Sequence, residues 1–152
     1  MNKNNIKEKI LDKTLIVGVI GLGYVGLPLS MTYCKKGYKV YGYDVDEKKI
    51  DSLLSKHNYI SDIEDDVLSK YVSNEQFLPS EDPKILKKCD LIFICVPTPI
   101  TKNRVPDITY IESSIALIIN NFKNGVTIIL KSTTYPGTTE DVIMTALTKA
   151  DK

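Results

Sequence analysis

The sequence lacks an excess of either charge, and it lacks any long apolar run. Twenty basic side chains stand against 19 acidic ones, which leaves a net charge of +1. This balance provides no general attraction to nucleic acid or to a membrane surface. Apolar runs such as LIFICV, residues 91–96, fall far short of the ~20 residues of a membrane-spanning helix. The segment MNKNNIKEKILDK has no apolar core of a secretory signal. We therefore expect a cytoplasmic protein without nucleic-acid or membrane partners.

Cysteine and histidine are also scarce. The three cysteines, Cys34, Cys89 and Cys95, stand at no metal-ligand spacing, and their odd number argues against a disulfide framework. A free cysteine in an apolar segment usually packs as a small hydrophobe. The single histidine, His57, lies in the polar stretch SLLSKHNYISD, where we expect an exposed side chain. We predict no metal site and no catalytic role for these four residues.

What the sequence does contain is an alternation of strand and helix patterns over 152 residues, the size of one domain. The strand segments are apolar throughout, which indicates a parallel sheet with helices on both faces. This pattern predicts a Rossmann-like, doubly wound α/β fold, truncated before the sixth strand of the usual order 3-2-1-4-5-6. The predicted strands are residues 14–21, 38–44, 76–79, 90–97 and 126–132, and the predicted helices are residues 24–36, 47–56, 63–71, 83–88, 108–122 and a last one from 138.

Three glycines follow the first predicted strand in the stretch VIGLGYVGLP. Gly21, Gly23 and Gly26 have the spacing G-x-G-x-x-G between a strand and a helix, as a dinucleotide fingerprint requires. The first would permit a tight turn, the second a close approach of the backbone to a pyrophosphate, and the third close packing of helix on strand. We therefore predict a pyrophosphate-binding turn here.

The start of the following helix is limited by Pro28. Proline is tolerated in the first turn of a helix, where its missing N–H has no partner to lose. This places the helix start at about Tyr24. The free N–H groups near Tyr24 and Val25 would then face the anion.

Two side chains are expected to cap later helices. Asp107 would cap the helix predicted at residues 108–122, and Thr138 would cap the last helix in a capping-box pattern.

A carboxylate stands at the end of the second predicted strand. Asp44 lies close to the expected ~20 residues beyond the last glycine of the motif. A carboxylate there accepts hydrogen bonds from the adenosine ribose and repels a 2′-phosphate, which favours NAD over NADP. Two polar, turn-rich segments, VPTPI (96–100) and STTYPGTT (132–139), follow the fourth and fifth strands at the same edge of the sheet. We expect both to contribute to a ligand site.

The segments GLGYVGLPL, YDVDEKKI, VPTPITKNRVPD and KSTTYPGTTEDV together resemble the UDP-glucose/GDP-mannose dehydrogenase family, from about Lys7 onward. Within the family they look most like the branch that oxidises UDP-N-acetylhexosamines, especially the UDP-N-acetylglucosamine 6-dehydrogenases. The resemblance implies that residues 1–152 are the NAD-binding domain of a longer enzyme, which converts carbon 6 of a UDP-sugar to a carboxylate with two NAD molecules.

The resemblance also implies roles for single residues. It places Tyr24 and Val25 at the pyrophosphate and Asp44 and the basic Lys49 at the adenosine ribose. It also places residues 96–100 in a loop that runs beside the cofactor and residues 132–134 in a loop near the nicotinamide. Thr133 corresponds to a threonine of the active-site water network and is the candidate catalytic residue. The loop residues that it assigns to the cofactor are Val96, Pro97, Thr98 and Pro99 after the fourth strand, and Ser132, Thr133 and Thr134 after the fifth.

The resemblance leaves much of the expected enzyme outside this sequence. The family's nucleophilic cysteine, its helper lysine and acid, and most of the UDP-sugar site lie further along the full enzyme, and none of the three cysteines here matches that nucleophile. We therefore expect the chain to bind NAD without turning over substrate, and the full enzyme to be a homo-oligomer. Asn103 and Arg104 are candidates to approach the substrate from the proline-rich loop, although we expect this loop to be solvated instead.

Three other functions stay open from the residues alone. The first is a β-hydroxyacid dehydrogenase, whose cofactor domain shares the fold and the glycines but not the two later loops. The second is a non-catalytic NAD-sensing module, which predicts a complete domain with its own edge strand. The third is a structural Rossmann domain without ligand, which gives no reason for Asp44 to accompany the glycines.

Overall fold

The computed structural model describes residues 3–101, 105–122 and 124–150. Strands and helices alternate along these ranges. In chain order the elements are α1 (Lys3–Leu11), β1 (Ile16–Ile20), α2 (Gly26–Lys35), β2 (Lys39–Tyr43), α3 (Glu47–Leu54), α4 (Asp65–Ser73), β3 (Phe77–Ser80), a 3-10 helix (Pro83–Lys88), β4 (Leu91–Ile94), α5 (Thr109–Asn121), β5 (Thr127–Leu130), a π-helical segment (Thr139–Met144) and α6 (Thr145–Ala150).

The five strands form one parallel sheet in the order β3-β2-β1-β4-β5. This is the predicted Rossmann-like α/β sheet, and all five predicted strands are present. After β3 the chain crosses back past β2 and β1 to form β4, which pairs with β1. The connection that follows β1 therefore runs toward one edge of the sheet, and the connection that follows β4 runs toward the other edge. Open α/β sheets bind ligands at this position, beyond the carboxyl ends of the strands.

The side chains of the strands alternate between two apolar cores, one on each face of the sheet. Val17 and Val19 of β1 belong to the core under α2, α3 and α4. Ile16 and Ile20 of the same strand belong to the core under the 3-10 helix, α5 and α6. Because successive residues of a strand point to opposite faces, a strand that is apolar at every position serves both cores. In the described part of the chain, no helix is long and apolar enough to cross a membrane.

Several helix starts differ from the predictions. Helix α4 begins at Asp65 rather than at residue 63, and α5 begins at Thr109 rather than at residue 108. Helix α2 begins at Gly26, two residues later than expected, and Pro28 still lies in its first turn. Thr138 does not cap a helix, because its backbone is already helical (φ −53°, ψ −37°) and its hydroxyl donates to Tyr135 O at 2.9 Å. Asp107 lies one residue before the N-cap position, Ile108, and its carboxylate accepts a hydrogen bond from Thr109 N, the first residue of α5, at 3.0 Å.

Candidate functional site

A cleft of about 590 Å³ opens at the carboxyl ends of the strands, beside the N-terminal half of α5. This volume is in the range of small-molecule sites. Most of the residues predicted to bind a cofactor lie on its wall, although they come from four separate stretches of chain. The predicted residues that line the cleft are Gly21, Gly23, Tyr24, Val25, Asp44, Lys49, Val96, Pro97, Thr98, Ser132 and Thr133.

Three predicted residues lie near the cleft without lining it. Gly26 is buried beneath the glycine turn. Pro99 is exposed, and its carbonyl accepts a hydrogen bond from Asp107 N at 2.8 Å. The hydroxyl of Thr134 pairs with that of Thr138 at 2.8 Å. Asn103 and Arg104 lie outside the described residues.

The three glycines of the turn have different surroundings. Gly21 has φ +89°, a conformation that side chains disfavour, and a Cβ there would stand 2.8 Å from Cys95 O. A Cβ added to Gly26 would overlap the carbonyl oxygen of Gly21, so helix and strand can approach only without a side chain. At Gly23, by contrast, no atom of the described chain beyond the glycine and its two neighbours in sequence lies within 4 Å of an added Cβ. The fold therefore requires glycine at 21 and 26, whereas the packing around residue 23 would leave room for a side chain.

The turn that leads into α2 presents unpaired donors to this cleft. Within the described residues, no acceptor bonds to the backbone N–H groups of Gly23, Tyr24 or Val25. Tyr24 is 79% exposed, so these groups are open to solvent rather than enclosed. Free N–H groups and the positive end of the helix dipole make such a turn a binding site for phosphate groups.

Asp44 lies directly after β2 and connects it to the glycine turn. The residue is buried, at 6% exposure. Oδ2 accepts from Leu22 N at 2.8 Å and from Lys49 Nζ at 3.3 Å, and Oδ1 accepts from Asp46 N at 3.0 Å. Since a carboxylate has about four acceptor positions, about one stays open on Oδ1. A ribose hydroxyl could donate to that open acceptor position. A phosphate beside Asp44 would instead be repelled by the negative charge of the carboxylate.

Two hydroxyls tie the loop after β4 to the loop after β5. Ser132 Oγ donates to Val96 O at 2.7 Å. In the reverse direction, Thr98 Oγ1 donates to Thr133 O. These bonds hold the two predicted cofactor loops against each other on one side of the cleft. The Thr133 hydroxyl has no partner among the described residues, so it is free to contact a ligand.

Sequence reasoning missed part of the cleft wall. One helical face of α5 contributes to it, and a signal for this exists in the sequence, because two adjacent serines interrupt an isoleucine-rich helix. Ser114 is buried and donates to Tyr110 O at 2.7 Å. The other unpredicted residues of the cleft wall lie at the carboxyl ends of strands or directly after them. The lining residues that were not predicted are Ile20, Tyr43, Val45, Asp46, Cys95, Tyr110, Ser113, Ser114, Leu117 and Lys131.

The cysteines have the chemistry of packed side chains. All three are buried and free of disulfides. Burial raises the pKa of Cys34 to about 12. Burial also raises the pKa of Cys95 to about 11, although Lys131 acts in the opposite direction. A thiol with so high a pKa is a poor nucleophile near neutral pH. Within the described ranges, no group of three His, Cys, Asp or Glu side chains could hold a metal ion.

The sheet order, the glycine turn with free N–H groups and the carboxylate after β2 define a dinucleotide-binding domain of the Rossmann type. The sequence model of the UDP-glucose/GDP-mannose dehydrogenase family, NAD binding domain, matches residues 15–152. The chain therefore belongs to this family, and its cofactor is NAD. This match decides against the β-hydroxyacid dehydrogenase interpretation.

Individual relatives agree with the family match. A UDP-N-acetyl-D-glucosamine 6-dehydrogenase of Pseudomonas aeruginosa is 35% identical over 137 residues, which are 90% of this chain and 32% of that protein. A UDP-N-acetyl-D-mannosamine dehydrogenase of Pyrococcus horikoshii is 34% identical over 125 residues, 82% of this chain and 30% of that protein. The solved structure of a UDP-D-ManNAc dehydrogenase from Pyrococcus horikoshii has a TM-score of 0.83 at 30% identity, covering 91% of this chain and 33% of that one. The chain thus spans about a third of the length of these relatives.

Proposed function

We propose that the chain is the cofactor domain of an enzyme that oxidises carbon 6 of a UDP-N-acetylhexosamine to the uronic acid, with UDP-N-acetylglucosamine as the favoured substrate, for surface polysaccharide synthesis. The primary alcohol becomes an aldehyde and then, with addition of water, a carboxylate. Bound NAD supplies the hydride acceptor, one molecule for each of the two oxidation steps. The names of the two relatives above support a UDP-N-acetyl sugar. The resemblance of PTPITKNRVPD and KSTTYPGTTEDV to this branch supports it as well.

The residues of this chain bind and orient the cofactor in this proposal. The N–H groups of the glycine turn bind the pyrophosphate, and Asp44 accepts from the adenosine ribose. Thr133 extends its free hydroxyl toward the reacting end of the site, where it orders water. The observation that carries the proposal is the open space at Gly23 beside unpaired N–H donors, because nothing in the fold itself requires this arrangement.

The isolated chain is inactive in this proposal. Cys34, Cys89 and Cys95 are buried, and burial raises the pKa of Cys34 and of Cys95, so we expect none of them to provide the thiolate that the family's chemistry uses. The nucleophile and most of the UDP-sugar site then belong to the rest of a longer enzyme, which we expect to be a homo-oligomer.

The cofactor assignment is tested by isothermal titration calorimetry of the chain with NAD and NADP. We expect NAD to bind more tightly than NADP. Asp44→Asn should raise the Kd for NAD by at least about tenfold, since hydrogen bonds to a charged acceptor are lost. Asp44→Asn should also narrow the difference in affinity between NAD and NADP, because the negative charge that repels the 2′-phosphate of NADP is removed.

Asp82→Asn is the matched control for this titration. Asp82 is exposed, does not line the cleft, and caps the 3-10 helix by accepting from Lys84 N at 3.0 Å. Asparagine caps helices as well as aspartate, so this variant removes an equal charge without changing the fold. A wild-type chain that binds NADP as tightly as NAD, or an equal loss in both variants, would contradict the assignment of Asp44.

The substrate is tested on the full-length enzyme with UDP-N-acetylglucosamine, UDP-N-acetylmannosamine and UDP-glucose, by following NADH formation. We expect the highest kcat/KM for UDP-N-acetylglucosamine and two NADH per sugar oxidised. Turnover of UDP-glucose alone would reject the N-acetylhexosamine assignment but leave the cofactor domain as described.

A further inference from the structure

The peptide groups of Leu22, between the first two glycines of the turn, are held from both sides. The Leu22 N–H donates to Asp44 Oδ2 at 2.8 Å. Its carbonyl oxygen accepts from the hydroxyl of Tyr59 at 2.7 Å. Within the described residues no other donor bonds to this oxygen. The Leu22 side chain is fully buried, and a nearby backbone carbonyl without a partner would be costly. Tyr59 therefore supplies the hydrogen-bond donor that the Leu22 carbonyl does not find within the turn.

The segment that carries Tyr59 is itself ordered by a side chain. Asn58 Oδ1 accepts from Ile60 N at 2.9 Å, and Asn58 Nδ2 donates to the carbonyl oxygens of Ile60 and Ile63. Ile60 and Ile63 are both buried in the core under α2, α3 and α4. The backbone on either side of Tyr59 is thus anchored, so its hydroxyl has a defined position.

The electrostatic surroundings keep Tyr59 a hydrogen-bond donor. Burial raises the pKa of Tyr59 above its usual value of 10.0, and the negative charges of Asp44 and Asp46 raise it further. The phenol is then neutral throughout the physiological range. A neutral phenol donates one hydrogen, and the Leu22 carbonyl receives it.

The orientation of the Leu22 carbonyl, which accepts from Tyr59, determines the orientation of the Gly23 N–H. The described chain has no cis peptide bond, so the Leu22 carbonyl and the Gly23 N–H of the same peptide group point to opposite sides. Gly23 lines the cleft, whereas Tyr59 does not. We propose that Tyr59 is a positioning residue for the pyrophosphate turn: by holding the Leu22 carbonyl, it turns the Gly23 N–H donor away from itself and toward the cleft. The inference rests on the proposed binding of NAD in this cleft.

The test is the affinity of Tyr59→Phe for NAD, measured by calorimetry on the 152-residue chain. Phenylalanine keeps the packed ring and removes only the hydroxyl. The Leu22 carbonyl then loses its partner, and the peptide group can rotate toward water. We expect the Kd for NAD to rise by about fivefold, the usual effect of one lost hydrogen bond.

Tyr38→Phe is the matched control. The Tyr38 hydroxyl also donates to a backbone carbonyl, that of Ile10 at 3.1 Å, and Tyr38 packs in the same core. It contacts α1 and does not line the cleft. We expect the two variants to lose similar unfolding free energy in urea, while only Tyr59→Phe loses affinity for NAD.

Two further readouts separate positioning from general loosening. The affinity for ADP, which contains the pyrophosphate, should fall with that for NAD, whereas the affinity for adenosine should stay unchanged. The Gly23 amide signal of the free protein should shift in the nitrogen–proton NMR spectrum of Tyr59→Phe and not in that of Tyr38→Phe.

The outcomes are distinguishable. A folded Tyr59→Phe variant with the wild-type Kd for NAD, or with an equal loss for adenosine, overturns the positioning role and leaves the cofactor domain intact. A wild-type chain that fails to bind NAD overturns both the proposed function and this inference.

Discussion

At the scale of single residues, the glycine turn shows that one motif can combine two kinds of constraint. Gly26 is required by the chain, because the Gly21 carbonyl occupies the place of its Cβ. Gly23 is not required by the chain, since its Cβ position is open and its φ lies outside the left-handed region. In the proposed function, the close approach of the cofactor's pyrophosphate to the backbone is the reason for glycine at this position.

Alanine at these two positions should therefore have opposite effects. We expect Gly26→Ala to lower the unfolding free energy by about 2–3 kcal/mol, because the added methyl forces α2 away from β1. Gly23→Ala should leave stability unchanged or raise it by up to about 1 kcal/mol, since alanine restricts the unfolded chain. Its Kd for NAD should nevertheless rise at least about tenfold. Urea unfolding and calorimetry measure the two quantities, and a larger stability loss for Gly23→Ala than for Gly26→Ala would contradict this division.

The sequence predicted residues of the site wherever the constraint was local. The three glycines and Asp44 stand at fixed distances along one strand-turn-helix-strand unit, so spacing alone was enough. Tyr59 was not predicted, because its partner Leu22 lies 37 positions away and the bond is to a backbone atom, which leaves no pattern in the sequence. Ser113 and Ser114 of α5 were missed because the apolar face of that helix dominated its interpretation.

At the scale of elements, periodicity identified the strands and most helices, whereas the ends depended on details of the turns. The C-terminus of α2 follows the expected pattern: Gly37 has φ +90° and donates to Cys34 O, and Tyr38 N donates to Tyr33 O. The helical segment after Gly137 does not, because this glycine, at φ +97°, makes the turn and Thr138 is already helical. A capping box needs an extended residue at the cap, so the pattern at Thr138 was misleading.

Helix α1 was not predicted, and Asp90 is one of the residues that hold it to the sheet. Asp90 is 5% exposed and accepts from Lys9 Nζ at 2.7 Å and from Ile16 N, at the start of β1, at 3.0 Å. We expect Asp90→Ala to lower the unfolding free energy by about 2 kcal/mol, because the Ile16 N–H loses a charged acceptor. Lys9→Met should cost less than about 1 kcal/mol, since Lys9 is partly exposed and water screens its charge.

Urea unfolding of both variants checks this ranking. Glu81→Ala is the control, because Glu81 is an exposed acid whose side chain has no partner among the described residues, and we expect the stability of this variant to match the wild type. A Lys9→Met variant as unstable as Asp90→Ala would show that the ion pair to α1, rather than the bond to β1, carries the effect.

At the scale of the whole molecule, burial falls from the centre of the sheet toward β5. Four of the five residues of β1 are buried, and so are four of the five in β2. None of the four residues of β5 is buried, and Ile129 is 37% exposed. The cleft lies over the buried centre, beside β1 and β4, so its glycine turn and Asp44 stand on the most enclosed part of the fold. Binding residues placed on such elements keep their geometry better than residues on mobile loops.

This gradient predicts an order of amide hydrogen exchange, measured by mass spectrometry. Peptides from β1, β2 and β4 should exchange most slowly, because opening them disrupts both cores. Peptides from β5 should exchange fastest among the strands, since in the described part of the chain β5 pairs only with β4 and has no fully buried side chain.

NAD should slow exchange at the glycine turn, residues 21–26, because the unpaired N–H groups of Gly23, Tyr24 and Val25 gain an acceptor there. Exchange in β5 should stay unchanged. Equal protection of β5 and β1 would contradict the burial gradient, and protection by NAD at β5 without any at the turn would move the binding site away from the cleft.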